Sequence, residues 1–202
     1  MPARSRPAPV ADETPDVEAA IAARVRALRA ARGDSLDALA MRAGVSRSMI
    51  SLVERGEASP TAAVLVKLAA ALDVKLSALF EPPAAPAAPV SRRAGQRRWR
   101  DPESGYERRN LSPPGVDSAI ELVEVMFGAG REVTLDAPSR APFDQQIWVV
   151  GGSLDISHDG TTHHLAAGDC LAMRVAGPVG FRNPGRQAAR YIVAVATGRD
   201  HG

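Results

Sequence analysis

The stretch "SLDALAMRAGVSRSMISLVERG" contains two short amphipathic segments joined by only three residues, Ala43-Gly44-Val45. A serine precedes each segment, at the position where a side-chain oxygen accepts a hydrogen bond from a free helical N–H group. A glycine follows each segment, where a left-handed residue closes a helix. The apolar residues recur at helical spacing: Leu36, Leu39, Ala40, Ile50 and Val53. The pattern predicts two helices whose mutual crossing is set by a tight turn.

Helical periodicity extends on both sides of this pair and defines residues 17–81 as an all-α domain. Capping residues mark where the helices begin: Asp34 or Ser35 for the second, Ser46 for the third, and Ser59-Pro60 with Thr61 for the fourth. The flanking apolar positions are Ile21, Val25, Leu28, Val64, Leu65 and Leu68. We therefore expect a compact bundle of short helices.

Several motifs of this domain resemble the XRE or phage-repressor type of helix-turn-helix family over residues 17–80. They are "RVRALRAARG", the alanine at position 40, "GVS", "IS", "ERG", "SP" and the closing "LSALF". The resemblance implies that the chain binds double-stranded DNA and that the helix of residues 46–54 enters the major groove. It also implies a buried ion pair between Arg29 and Glu54, and binding as a dimer.

The start of the third helix would lie nearest the base edges. The predicted DNA-binding residues are Arg42, Ser46, Arg47, Ser48, Met49, Ser51 and Leu52. Arg47 is the expected base reader, since its guanidinium can bind a guanine through two hydrogen bonds, and Ser48 is a less selective one. Met49 and Leu52 would contact thymine methyl groups, although Leu52 fits a packing role equally well. The remaining three are expected at phosphates.

Charge is distributed unevenly along the chain. The formal net charge is +2, but residues 17–80 and residues 81–101 are each basic, whereas residues 102–202 are acidic. A basic first half is compatible with a polyanionic partner. A solvated surface explains an excess of this size equally well.

Two segments lack the patterns of folded structure. Residues 1–16 contain four prolines and no apolar core, so they predict a disordered leader and not a secretory signal. Residues 82–105 are rich in Pro, Ala and Arg and predict a semi-extended linker, solvated or lying along DNA phosphates. No apolar run is long enough to span a bilayer. We expect a cytoplasmic protein, with its single cysteine, Cys170, as a small buried residue.

The second half, residues 106–198, consists of short β segments separated by turn residues at Asp159-Gly160, Gly168-Asp169 and Asn183-Pro184-Gly185. This predicts an antiparallel sandwich or barrel. The segments "WVVGGSLDI", "DGTTHHLAAGD" and "GPVGFRNPG" resemble the cupin family over residues 111–196. The resemblance implies a double-stranded β barrel, a fold that often dimerises.

The metal ligands of that family are replaced in this sequence. Gln145 stands where metal-binding cupins have a glutamate, and Val179 stands where they have the third histidine. An amide is a poor ligand for a divalent ion, and a valine is none. His163 and His164 are adjacent on a strand and therefore point to opposite faces. We expect no metal, no cofactor and no catalytic residue.

Strand alternation along "APFDQQIWVVGG" places apolar residues and one amide on the inward face of the barrel. The predicted pocket residues are Phe143, Gln145, Ile147, Val149, Val179 and Phe181. Such a pocket can orient an uncharged molecule through the Gln145 amide, but it holds no group that titrates near neutral pH. The alternative is a filled core in which backbone groups satisfy Gln145.

Together these patterns predict a DNA-binding transcriptional regulator in which an all-α helix-turn-helix domain precedes an all-β cupin-like barrel. The expected partners are a DNA operator, a small-molecule effector and a second copy of the chain. Two alternatives stay open: a metal-dependent cupin enzyme with an accessory DNA-binding domain, and a barrel that only dimerises.

Overall fold

The computed structural model describes residues 14–81, 88–136 and 142–196. The N-terminal domain contains four α helices: α1 (Thr14–Ala31), α2 (Leu36–Ala43), α3 (Arg47–Arg55) and α4 (Ala62–Ala71), followed by a short 3-10 helix (Leu76–Leu79). Helix α1 includes residues 14–16, which the sequence assigned to a disordered leader, and the rest of that segment lies outside the described residues. No helix in the described ranges is long and apolar enough to cross a membrane.

The predicted helix boundaries are confirmed by their caps. The side chains of Ser35, Ser46 and Thr61 accept hydrogen bonds from backbone N–H groups in the first turns of α2, α3 and α4. Gly44 closes α2 with φ of 61°, and its N–H donates to the carbonyl of Ala40. This left-handed conformation is one that glycine adopts without a Cβ penalty. The turn between α2 and α3 is therefore fixed by local chemistry.

The C-terminal domain is built from β strands, preceded by a second 3-10 helix (Arg93–Gly95). The strands are β1 (Arg98–Arg100), β2 (Glu107–Asn110), β3 (Ile120–Phe127), β4 (Glu132–Leu135), β5 (Phe143–Gly151), β6 (Ser153–His158), β7 (Thr161–Ala166), β8 (Cys170–Val175), β9 (Val179–Arg182) and β10 (Ala189–Ala196). Strands β3 to β10 correspond to the β segments predicted from alternation and turns.

The strands form two antiparallel sheets that face each other. The order is β1-β2-β3-β10-β5-β8 in the six-stranded sheet and β4-β9-β6-β7 in the four-stranded sheet. Between them, the rings of Phe181 and Tyr191 stack with centroids 6.1 Å apart. Ile147, Val149 and Ile156 are fully buried in the same core. A double-sheet β domain after a helical domain is the predicted fold class.

Strand β1 lies inside the segment expected to be a linker. It pairs with β2 and places Trp99 opposite Arg108, so that the indole is buried. Asp101, which follows directly, is also buried, and its carboxylate accepts hydrogen bonds from the backbone N–H groups of Ser104 and Ala62. Because Ala62 opens α4, this carboxylate also caps a helix of the other domain.

The two domains share one continuous apolar core. Phe80, at the end of the helical domain, packs against Trp99 with ring centroids 5.7 Å apart. The guanidinium of Arg108 lies 5.6 Å from the centroid of the Phe80 ring. The hydroxyl of Ser77 donates to Glu121 at 2.7 Å. These contacts fix the position of the helical domain on the edge of the six-stranded sheet.

Cys170 is exposed, so the expectation of a buried cysteine is wrong. It is the first residue of β8 and pairs with Trp148, whose side chain lies on the outer face of the sheet. Paired residues of neighbouring strands share a face, which places the thiol on that face too.

Gly152 lies where the backbones of two segments approach closely. Its φ is 79°, and a Cβ at this position would lie 2.9 Å from Cα of Ala189 and 3.0 Å from the carbonyl oxygen of Ala188. Gly160 has a similar φ of 72°, but a Cβ there would meet nothing within 4 Å. Substitutions at these two glycines therefore separate the cost of a left-handed backbone from the cost of close packing.

We therefore expect Gly152→Ala to destabilise the β domain clearly more than Gly160→Ala, which should cost about 1–2 kcal/mol for the left-handed backbone alone. Urea unfolding followed by tryptophan fluorescence measures this, because Trp99 and Trp148 both lie in the β domain. Equal losses in the two variants would show that the approach to Ala189 relaxes without cost.

Candidate nucleic-acid interface

An ion pair between α1 and α3 sets the position of the third helix. Arg29 donates to both carboxylate oxygens of Glu54, from Nε at 2.6 Å and from Nη2 at 2.7 Å. The Arg29 and Glu54 side chains are only 18% and 7% exposed. The hydrogen bond to Glu54 raises the pKa of Arg29, against the opposing effect of burial. The expected structural pair is confirmed, and it braces α3 against α1.

The inward face of α3 consists of Ile50, Val53 and Glu54, which are buried. Its N-terminus is held by Ser46, whose hydroxyl accepts from the N–H of Met49 at 3.2 Å and lies 3.1 Å from the hydroxyl of Ser48. Because the first N–H groups of a helix attract anions, Ser46 lies where a phosphate would be bound. This end of the helix is exposed to solvent.

Arg47 is an exposed charged group at this end of α3. Its side chain is 63% exposed, and its Nε lies 3.2 Å from a carboxylate oxygen of Asp37, which is itself 76% exposed. An exposed pair of this kind contributes little to stability. Arg47 can therefore exchange Asp37 for another partner at small cost.

The other predicted contacts of α3 lie in more packed surroundings. Met49 is half-buried and packs against the core of the helical domain, and Leu52 is half-buried as well. Ser51 is half-buried and accepts a hydrogen bond from Arg55. Less of these three side chains is free for a ligand than the helical pattern suggested.

Arg42 is engaged within the protein. Its Nε donates to the carbonyl of Ala71, at the end of α4, at 2.7 Å. Its guanidinium also forms an ion pair with Asp34. The hydrogen bond that Arg42 donates in this pair lowers the pKa of the Asp34 carboxyl. A phosphate contact by Arg42 remains a prediction, and it requires the guanidinium to serve a phosphate beside these partners.

Arg55 is a cation at the other end of α3 that the sequence analysis did not select. It donates to both oxygens of Glu57, at 2.7 and 2.8 Å, on the protein surface. The signal available in the sequence was its place in the last turn of α3, where an arginine would reach a neighbouring phosphate if this helix bound DNA.

The predicted ligand-pocket residues lie together on the inner side of the β domain. Ile147, Val149, Val179 and Phe181 are buried, whereas Phe143 and Gln145 are half-buried. The predicted alternation along β5 is confirmed, since Asp144, Gln146 and Trp148 are exposed. A ligand pocket among these residues remains a prediction.

The histidines of the β6–β7 hairpin lie apart, as alternation requires. His163 pairs with buried Ile156, whereas His164 pairs with Asp155 on the opposite face and its Nδ1 lies 2.7 Å from the Asp155 carboxylate. Within the described ranges, no three His, Cys, Asp or Glu side chains are grouped as metal ligands.

Comparison with known proteins relates both halves of the chain to transcriptional regulators. Residues 25–79 match the helix-turn-helix family HTH_3. The HTH-type transcriptional regulator SutR of Escherichia coli (strain K12) is 29% identical over 170 residues, which cover 83% of this chain and 89% of that protein.

One solved structure gives the same relation over most of the chain. An HTH_3 family transcriptional regulator from Vibrio cholerae is 27% identical and superposes with a TM-score of 0.74, covering 92% of this chain and 99% of that one. The Cupin_2 domain of an XRE family transcriptional regulator from Enterobacter cloacae is 16% identical, with a TM-score of 0.42 over 46% of this chain and 96% of that domain.

We expect Glu54→Gln to destabilise the helical domain by about 3 kcal/mol, because it leaves the Arg29 guanidinium largely buried without a counter-charge. Helical circular dichroism during urea unfolding measures the loss. The matched control is Glu57→Gln, which breaks an exposed pair with Arg55 and should leave the unfolding midpoint unchanged. Similar midpoints for both variants would remove the structural role of the Arg29–Glu54 pair.

Proposed function

We propose that this chain, a DNA-binding transcriptional regulator with a helix-turn-helix domain of the HTH_3 family at residues 25–79, reads DNA bases through the N-terminal end of α3. The observation that carries the proposal is the placement of Arg47. It lies on a capped helix braced by Arg29 and Glu54, with its guanidinium exposed and paired, among the described residues, with the surface carboxylate of Asp37. We place this activity in the cytoplasm.

Each side chain of this surface has a role that its chemistry allows. Arg47 donates two hydrogen bonds to O6 and N7 of a guanine, and Ser48 contacts the neighbouring base. Ser46 and the free N–H groups around it bind a phosphate and fix the register of the helix on DNA. Met49 and Leu52 supply apolar contact to thymine methyl groups through the parts that remain exposed. Ser51 and Arg42 contact phosphates.

We further propose that the chain acts as a dimer through its β domain. One helix of nine residues reads only a few base pairs, so two copies on neighbouring half-sites are needed for a selective operator. Linking two such domains raises affinity through effective concentration without new base contacts.

An apolar surface suited to this role lies on the outer face of the six-stranded sheet. Strand pairing aligns Trp148 with Ile192, and Leu122 with Ala194, across β5, β10 and β3. We call this surface the outer face; its members are Ile120, Leu122, Met126, Trp148, Ile192 and Ala194. Trp148 is 51% exposed and Ile120 is 57% exposed. Clustered exposed apolar side chains are typical of an interaction site.

Charges on the outer face favour a second copy as the partner. Burial alone would raise the pKa of Glu124, but the hydrogen bond from Arg190 and the charge of Arg109 hold it below its usual value. This carboxylate therefore reaches the interface already paired. At the edge, Asp144 and Arg174 are exposed and 3.8 Å apart. A two-fold axis through the face lets each of them meet the opposite charge of the other copy.

The β domain in this proposal binds and dimerises but does not catalyse. Gln145 and Val179 stand where metal-binding cupins carry ligands, and neither side chain binds a divalent ion well. The rival function is a metal-dependent enzyme with an accessory DNA-binding domain. Metal content of the purified protein, compared between the natural chain and Gln145→Leu, separates the two.

We expect Arg47→Ala to weaken binding to the selected operator by about 1–3 kcal/mol, while binding to random duplex of the same length changes far less. The operator is first obtained by selection from a random duplex library. Arg186→Ala, which removes an exposed cation from the β domain, is the matched control and should change neither affinity. Equal losses of Arg47→Ala on both duplexes would make Arg47 a phosphate contact.

Trp148→Lys should raise the dimer dissociation constant by roughly 30-fold or more, since an interface tryptophan contributes about 2 kcal/mol. Sedimentation velocity measures the dissociation constant. Val90→Lys is the matched control, because Val90 is 54% exposed but lies outside the outer face. A dimer that persists in Trp148→Lys and dissociates in Val90→Lys would show that the interface lies at the connection between the domains and not on the outer face.

A further inference from the structure

A cavity of about 500 Å³ lies at the junction of the two domains. Three parts of the chain line it. Ser77 and Phe80 belong to the end of the helical domain, Gln96 and Arg97 precede β1, and Pro113 belongs to the loop before β3. We call it the junction cavity. A ligand in this position contacts both domains at once.

One polar group of the junction cavity has no partner in the described part of the chain. Nη1 of Arg97, a residue that lines the junction cavity, is buried and donates to no hydrogen-bond acceptor there. A buried donor without an acceptor costs the free energy of its lost hydration. If the Arg97 guanidinium turns toward the junction cavity, an oxygen atom of a ligand can accept from it and remove this cost, and a charged oxygen removes more of it.

The charges around the junction cavity favour an anion. The carboxylate of Glu121 is already paired, at 2.9 Å with Arg108 and at 2.7 Å with Ser77. Burial raises the pKa of Glu81, and the charges of Arg24 and Lys75 oppose this rise. Lys75 faces the charge of Glu81, whereas Arg97 forms no ion pair in the described part of the chain, so Arg97 is the cation of the lining that an anion can pair with.

Part of the remaining lining is apolar and stiff, beside polar side chains such as Asn110 and Ser112. Phe80 is buried, and the rings of Pro89, Pro113 and Pro114 fix the backbone angle φ at these residues. Such walls suit the hydrocarbon part of a small molecule and need little ordering when it binds. The ligand class that fits is therefore a carboxylate with an aliphatic or aromatic body.

We propose that the junction cavity is the effector site of this regulator and that it binds a small monocarboxylate, whose oxygens accept hydrogen bonds from Arg97. This proposal rests on the proposed regulatory function and adds the place and class of the effector. Ile120 lines the junction cavity and also belongs to the outer face. Occupancy is thereby coupled to the arrangement of the two recognition helices in a dimer.

Binding is tested first without DNA, on the full chain. Butyrate, hexanoate and benzoate are titrated in turn against their primary amides, which keep the shape and lose the charge, while backbone amide resonances are recorded. We expect saturable shifts around Ser77, Arg97 and Ser112, with the carboxylates binding about tenfold more tightly than the amides.

Arg97→Met removes the guanidinium and retains the apolar stem, and it should abolish these shifts. Arg93→Met is the control, since Arg93 is exposed in the same segment and does not line the junction cavity. Shifts that survive in Arg97→Met, shifts centred on Gln145, or the absence of saturable binding by every carboxylate would each overturn the proposal.

Operator affinity is then measured with and without the carboxylate that binds best. We expect a change of about fivefold or more in the natural chain and none in Arg97→Met. Binding at the junction cavity without a change in operator affinity would refute its role as an effector site. Failure to bind any selected operator, both with and without a carboxylate, would instead contradict the proposed function, so the two failures are distinct.

Discussion

The contact between Phe80 and Trp99 determines how the two domains are arranged. Both rings are almost fully buried, with centroids 5.7 Å apart, although one closes the helical domain and the other lies on the first strand of the β domain. Arg108 adds a cation near the Phe80 ring and is itself held by Glu121. Since these contacts join two cores into one, the helical domain cannot swing freely as it would on an extended linker.

Orientation of the recognition helix follows from a second, local set of constraints. The caps of α3 fix where it starts and ends, and the Arg29–Glu54 pair fixes its rotation against α1. The pair is partly desolvated, and the cost of removing its charges from water offsets much of their attraction. Its main effect is therefore to select one arrangement of the helices, and its net contribution to the free energy of unfolding is smaller. The base contact that we propose for Arg47 needs that single arrangement, because a bidentate contact to a base tolerates little displacement.

Most of the fold could be predicted because its signals are local. Ser46 and Gly44 mark a helix start and a turn by their own chemistry, and alternation along β5 assigns Ile147 and Trp148 to opposite faces. Alternation along β8 would have predicted the exposed position of Cys170 in the same way. Val175 is buried at the end of β8, so every second residue before it points inward and position 170 points outward. The wrong expectation came from the usual burial of the residue type.

Strands β1 and β2 could not be found in this way. Their sequences, "RWR" and "ERRN", have the composition of a solvated linker. Arg108 and Arg109 are nevertheless buried, because Glu121 and Glu124 on β3 neutralise them. The partners are 13 and 15 residues away in sequence, and no local pattern reveals such pairs. The junction cavity could not be predicted for the same reason, because its walls come from parts of the chain that are far apart in sequence.

Strand β3 connects the junction cavity, the outer face and the helical domain, on which the proposed regulation depends. Its first residue, Ile120, borders the junction cavity and the outer face, and the next, Glu121, bonds to Ser77 of the helical domain. Val123 and Val125 then anchor the strand in the core. Because packed cores move between discrete arrangements and do not deform gradually, a ligand that shifts the start of β3 must also shift Ser77 or break its bond to Glu121. Either response changes how the helical domain is held, which is the property that sets the spacing of two recognition helices on DNA.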